Sequence, residues 1–89
     1  MEGTIMFHKI KEIKPLKKYM LLATFQDGTV KMYDVGHLFD EIEIFNALKE
    51  IPCLFEQVKV DIGGYGISWN DEIDLSCDEL WDNGVSYEH

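Results

Sequence analysis

Six carboxylates, Asp71, Glu72, Asp74, Asp78, Glu79 and Asp82, fall within twelve residues near the end of this chain. Such a cluster has two chemical uses, holding a divalent cation or docking a basic partner, and otherwise it is a solvated face. Calcium fits badly: in a calcium loop begun at Asn70, the obligatory glycine falls on Leu75 and the twelfth-position glutamate on Trp81. His8, His37 and His89 show no metal-ligand spacing, with no HxH, no HExxH and no cysteine pair beside them. Nucleophilic catalysis needs a serine or cysteine with a histidine base and an orienting acid, and the one combination in view, Cys53 with His37, has no motif behind it. Gly63, Gly64 and Gly66 imitate a phosphate-cradling loop, but the lysine and the helix start that such a loop requires are missing. Of the two chemical uses, the residue types favour a docking patch at Asp71, Glu72, Asp78, Glu79 and Asp82 over a cation site, with an ordinary solvated face as the alternative. They support no enzyme and call for no metal or cofactor.

The charge balance points the same way. Of 89 residues, 17 are acidic and 8 basic, and every basic residue is a lysine, for a formal net charge of -9. Nucleic-acid binding relies on Lys and Arg to neutralise phosphates, and Arg is the bidentate reader of guanine, so direct contact with nucleic acid is not expected. Lys9, Lys11, Lys14, Lys17 and Lys18 crowd the start, while residues 60 to 89 contain no lysine. The chain is thus polarised, basic at one end and strongly acidic at the other. With 46% hydrophobic residues it should fold, and its length suits one domain over 1–89, with an ordered core at about 5–85. No stretch approaches the roughly 20 apolar residues of a membrane helix, and no signal peptide opens the chain, so no membrane contact and a cytoplasmic location are expected. Cys53 and Cys77 are then read as reduced thiols.

The elements that position these residues follow from periodicity and turn chemistry. Ile5 to Ile13 reads as a strand whose apolar positions change parity, as a bulge near His8 to Lys11 or a frayed edge strand would produce, and Pro15 ends it. Tyr19 to Phe25 and Thr29 to Val35 form a hairpin about Asp27-Gly28. A two-residue turn there sets Phe25 opposite Val30 and Ala23 opposite Met32. One face then receives Leu21, Ala23, Phe25, Val30 and Met32, and the other carries Met20, Leu22 and Tyr33. A second hairpin about Gly63-Gly64 sets Val60 opposite Ile67 and Val58 opposite Trp69, with Lys59 facing Ser68. Between the hairpins, Leu38, Ile42, Phe45 and Leu48 make a helical stripe, with a short turn at Gly36 to Phe39 before the helix, Asp40 and Glu43 as its capping box and Pro52 as its end. Ser76 followed by Glu79 caps a last short helix that buries Leu80 and Trp81, and Asn83-Gly84 stops it. The fold class is α+β: a two-layer β-β-β-α-β-β-α arrangement, with helices packed on a small, mostly antiparallel sheet.

Across nearly the whole chain these residues resemble a family of short bacterial domains known as domain of unknown function 2442. The resemblance is carried by Pro15-Leu16, Tyr19, Leu21, Phe25, Asp27-Gly28 and Asp34, then by Phe45, Leu48, Phe55, Val58 and Val60, and most specifically by Trp69, Asp74, Leu75, Leu80 and Trp81. Two departures stand out: Asn70 occupies a position that usually holds proline after the tryptophan, and Asp71-Glu72 replaces an Asn-Gly-like pair. The resemblance implies the same β-β-β-α-β-β-α fold and no established catalytic residues. It further implies a protein that stands alone or precedes a helix-turn-helix module, often encoded beside another small protein in the manner of a toxin-antitoxin pair.

The remaining candidates divide between scaffold and interface. Asp27, Gly28, Trp69, Asp74, Leu75, Ser76, Leu80 and Trp81 read as structural, with Asp74 as a capping or turn-forming carboxylate. Met20, Leu22 and Tyr33, on the face opposite the main stripe, mark an apolar interface for a homodimer or another protein. The expected function is a non-catalytic protein–protein interaction or regulatory module, an antitoxin-like partner of a small basic protein. The alternative is an accessory or dimerisation domain of a transcription regulator that does not itself contact DNA.

Overall fold

The structure, a computed structural model, describes residues 8–87. Ile5 and Phe7 of the expected first strand, and His89, lie outside the described residues. The class is α+β, but the strands divide between two antiparallel sheets instead of forming one. The larger sheet has the order β1 (Ile10–Pro15), β2 (Met20–Phe25), β3 (Val30–Asp34) and β7 (Val85–Ser86). The smaller has β4 (Lys59–Val60), β5 (Gly66–Ser68) and β6 (Asp74–Ser76). Two short helices, α1 (Ala47–Glu50) and α2 (Cys77–Asn83), and several 3-10 turns complete the described residues. No helix among the described residues is long and apolar enough to cross a membrane.

The parity change in β1 is a bulge: Ile10 pairs with Phe25, but Glu12 pairs with Thr24, so Lys11 is the extra residue. It restores Ile10 to the core face with Leu21, Ala23 and Phe25, all buried. The β1–β2 turn puts Lys18 and Tyr19 at φ 62° and 60°, a left-handed geometry normally left to Gly and Asn. Tyr19 is held there by edge-on packing against Phe39 and Phe55, each with its ring centre 5.2 Å away.

The β2–β3 hairpin corrects the expected register by one residue. Its loop has three residues, Gln26 to Gly28: the Phe25 amide donates to the Thr29 carbonyl (2.8 Å) and the Gly28 amide to the Phe25 carbonyl (2.9 Å), with Gly28 at φ 95°. Leu21 therefore faces Tyr33, Leu22 faces Met32 and Thr24 faces Val30. The slip exchanges the two faces of β3: Tyr33, not Met32, enters the core, with only 1% of its surface exposed. Asp27 fixes the loop by accepting the Thr29 amide (2.9 Å), a bond that holds its carboxyl below the usual range. The β4–β5 pairing stands as read, with Lys59 opposite Ser68 and Val60 opposite Ile67. Its tip departs from the expected apolar face, because Ile62 is 98% exposed and Tyr65 is also exposed, while Ile67 and Trp69 are buried.

The short turn expected at Gly36 to Phe39 is present, but the helix expected to follow it from Asp40 to Leu48 is broken. A 3-10 turn spans Val35–Leu38, Ile42 is extended (φ -130°), and a second 3-10 turn, Glu43–Asn46, leads into α1. The Asn46 amide donates to the carbonyls of Phe39 (3.0 Å) and Glu43 (3.1 Å), so a side chain takes backbone acceptors that a helical ladder would use. No capping box forms at Asp40, since the turn is entered from Ile42 without a side-chain cap. Leu38, Phe45 and Leu48 stay in the core, and Ile42 is released, 42% exposed. At the other end the reading of the cap holds: Ser76 Oγ accepts the Glu79 amide at 3.1 Å, and α2 follows. Gly84 ends α2 for a reason other than a left-handed cap. Its φ is -78°, but a Cβ there would lie 2.4 Å from the Leu80 carbonyl oxygen and 3.2 Å from Lys31 Cβ.

Buried side chains from both sheets, the 3-10 turns and both helices form one cluster. Trp69 anchors the seam, its indole N–H donating to the Phe55 carbonyl at 3.0 Å. Trp81 is half-buried, stacked parallel to His8 at 3.5 Å and edge-on to Phe25 at 4.9 Å, with the Lys31 ammonium 4.2 Å from its ring centre.

Candidate functional site

Breaking the helix at Ile42 opens a cleft. The segment His37 to Ile42 stands away from β6 and α2, leaving an open hollow of about 690 Å³ lined by His37, Leu38, Glu41, Ile42, Asp74, Leu75, Ser76, Glu79 and Asn83. Three carboxylates, Glu41, Asp74 and Glu79, surround apolar side chains of Leu38, Ile42 and Leu75. His37 supplies the only titratable nitrogen among these lining residues.

Each polar group is set by its local chain. Asp34 accepts the Gly36 amide (2.8 Å), and its backbone carbonyl accepts from His37 Nδ1, which fixes the ring's orientation. Ser76 Oγ is occupied as the cap of α2. Glu79 is expected to reach back and complete a capping box, but its Oε2 instead accepts a 2.7 Å hydrogen bond from the Tyr33 hydroxyl. Burial, then the hydrogen bond and charge of Glu79, push the Tyr33 hydroxyl well above its ordinary value of 10.0. Among the described residues no hydrogen bond joins His37 to Ser76, Asp74 or Glu79, so no nucleophile–base pair is preassembled. Nor are three His, Cys, Asp or Glu side chains gathered to hold a metal ion among the described residues.

Of the acidic residues singled out as a docking patch, only Glu79 lines the cleft. Asp71, Glu72, Asp78 and Asp82 are exposed, while Glu79 is half-buried and committed to Tyr33. Asp71 lies away from the cleft, beside a second shallow hollow with Lys59, Asp61 and Ser68. Asp74 is not a turn-forming carboxylate: it lies exposed on β6, opposite Ser68. The turn belongs to Asn70, whose Oδ1 accepts the amides of Glu72 and Ile73, both at 2.9 Å. An asparagine that can accept two amides thus does the work where the expected proline is missing. Met20 and Leu22 do share the outer face of the larger sheet, half-buried, but Tyr33 lies on the core face and is removed from that candidate interface. Cys53 is exposed and Cys77 buried, both free thiols, and burial raises the Cys77 thiol above its ordinary value.

Glu41 and Ile42 were missed as site residues because a continuous helix would place Ile42 inward and Glu41 on its solvated side. Asn46, whose side-chain amide competes for backbone carbonyls, was a local signal against that helix.

The family model described as protein of unknown function (DUF2442) matches residues 10–86, and the chain belongs to that family. No curated protein and no solved structure matches it.

Proposed function

We propose that this chain is a non-catalytic interaction module of the cytoplasm, antitoxin-like in its mode of action, that holds a basic, amphipathic segment of a small partner protein in the cleft between residues 37–42 and β6–α2. The supporting observation is the composition of that cleft, three carboxylates about an apolar floor, in a chain of net charge -9. A lysine or arginine of the partner is steered in by the field of the acidic end and paired at the rim, where each solvated ion pair contributes about 0.2–1 kcal/mol. Apolar side chains seated on Leu38, Ile42 and Leu75 add roughly 25 cal/mol per Å² removed from water. Charge therefore sets the on-rate and salt dependence, and the floor sets the residence time.

The test is co-expression with the protein encoded by the neighbouring gene, followed by size-exclusion chromatography in low and high salt. Co-elution that weakens about tenfold in the Glu41→Lys, Asp74→Lys double variant, or roughly 1.4 kcal/mol, supports the reading. Separate elution at micromolar concentration, or co-elution indifferent to both substitutions, overturns it. Glu79 is left unchanged because it supports Tyr33 in the core.

A further inference from the structure

The outer face of the larger sheet carries a second surface. The register sets Lys14, Leu22, Met32 and Val85 in one row across β1, β2, β3 and β7, with Met20 beside Asp34 in the adjoining row. Leu22, Met32 and Met20 are half-buried and Val85 is 71% exposed, so an apolar strip runs across three strands. The described helices do not cover it. The opposite face holds Leu21, Ala23, Phe25 and Tyr33, and α2 is tied to that face by the Tyr33–Glu79 bond.

We infer that this face associates with the same face of a second copy of the chain, in a weak two-fold symmetric dimer. A two-fold contact requires a patch complementary to its own image, and most of the surface of so acidic a chain fails that requirement. Here Lys14 and Asp34 lie on opposite sides of Leu22, on β1 and β3, both exposed. A two-fold axis passing by Met20 and Leu22 exchanges these corners, so that each Lys14 meets the Asp34 of the other copy while the methionine and leucine side chains close between them. Four strands about 4.8 Å apart and two side-chain rows about 7 Å apart make the footprint roughly 270 Å². That is below the roughly 800 Å² per partner of a standard interface, so the dimer belongs to the weak, reversible class.

Sedimentation equilibrium from about 10 μM to about 1 mM covers the range in which contacts of this size form. The expected result is a mass rising from 10.3 kDa toward twice that value. Met32→Glu, which sets two carboxylates against each other near the axis, should hold the protein monomeric throughout. Lys14→Glu, on the exposed sheet edge, should weaken association about tenfold with an unchanged melting temperature. A constant monomer mass for the unaltered protein overturns the inference and leaves the face to a different partner. A dimer insensitive to both substitutions overturns it by placing the contact elsewhere. The measurement involves no partner protein, so its failure leaves the cleft reading untouched.

Discussion

Replacing Tyr33 with phenylalanine tests the least expected connection in this fold, the bond between a core strand and the capping helix. Tyr33 is 1% exposed, and its hydroxyl donates to Glu79 at 2.7 Å. Hydrogen bonds to charged acceptors contribute roughly 1.5–3 kcal/mol. The phenyl ring keeps the packing, and the half-buried Glu79 carboxylate regains water from the open cleft, so the loss at neutral pH lies at the low end, about 1–2 kcal/mol. Alkaline pH supplies an independent signature. The folded protein holds the Tyr33 proton more tightly than the unfolded chain, whose hydroxyl titrates near 10.0. Its contribution is therefore complete below pH 10 and is lost above it, because the unfolded chain gives up a proton that the folded protein keeps. Linkage makes the loss about 1 kcal/mol between pH 10 and 11, approaching 1.4 kcal/mol per unit beyond. Urea denaturation followed by tryptophan fluorescence, run at pH 7, 10 and 11 on both proteins, separates this group from the lysines and the other tyrosines, which titrate alike in each. Equal stability at pH 7 together with equal losses between pH 10 and 11 would refute the reasoning.

Two backbone substitutions distinguish space from conformation. Gly84→Ala forces a Cβ to within 2.4 Å of the Leu80 carbonyl oxygen and should cost more than about 2 kcal/mol despite its ordinary φ, whereas Gly28→Ala, at φ 95° with open space around it, should cost only about 1 kcal/mol. Comparing the two melting temperatures checks this order, and a reversed order would sink it. Cys53 follows Pro52 in a turn closed by the Leu54 amide and the Ile51 carbonyl (3.2 Å), with φ 67°. Cys53→Gly should raise stability by up to about 1 kcal/mol as that strain is relieved, measured by thermal unfolding under reducing conditions, and a lowered melting temperature would contradict it.

What could be read locally was read correctly where a short stretch of chain decides the matter. Parity within nine residues narrowed β1 to a bulge or a frayed edge, and the structure has the bulge; the α2 cap follows from Ser76, and the β4–β5 pairing from the alternation on either side of Gly63-Gly64. The register of the β2–β3 hairpin was not decided so close at hand. Asp27-Gly28 suits both a two-residue turn and a three-residue loop ending on a left-handed glycine, and the apolar pattern of β3 accommodates both, with either Met32 or Tyr33 inward. The choice rests on Glu79, 46 residues away, which accepts the hydroxyl that a buried tyrosine must satisfy.

The same division governs the candidate sites. Sequence alone determined the α+β class, the charge polarity, most of the core and the identities of the acidic side chains, because composition, periodicity and capping act over a few residues. Only the tertiary structure decided which carboxylates line one cleft, Glu41 with Asp74 and Glu79, and which lie elsewhere, as Asp71 does. It also decided that three-residue β6 and two-residue β7 are strands at all. β7 lies opposite β3 from the far end of the chain, Val85 facing Met32, and forms only once the packing of the core has brought the two together, while β6 pairs with β5 across a loop shaped by Asn70 that no hairpin dipeptide announces.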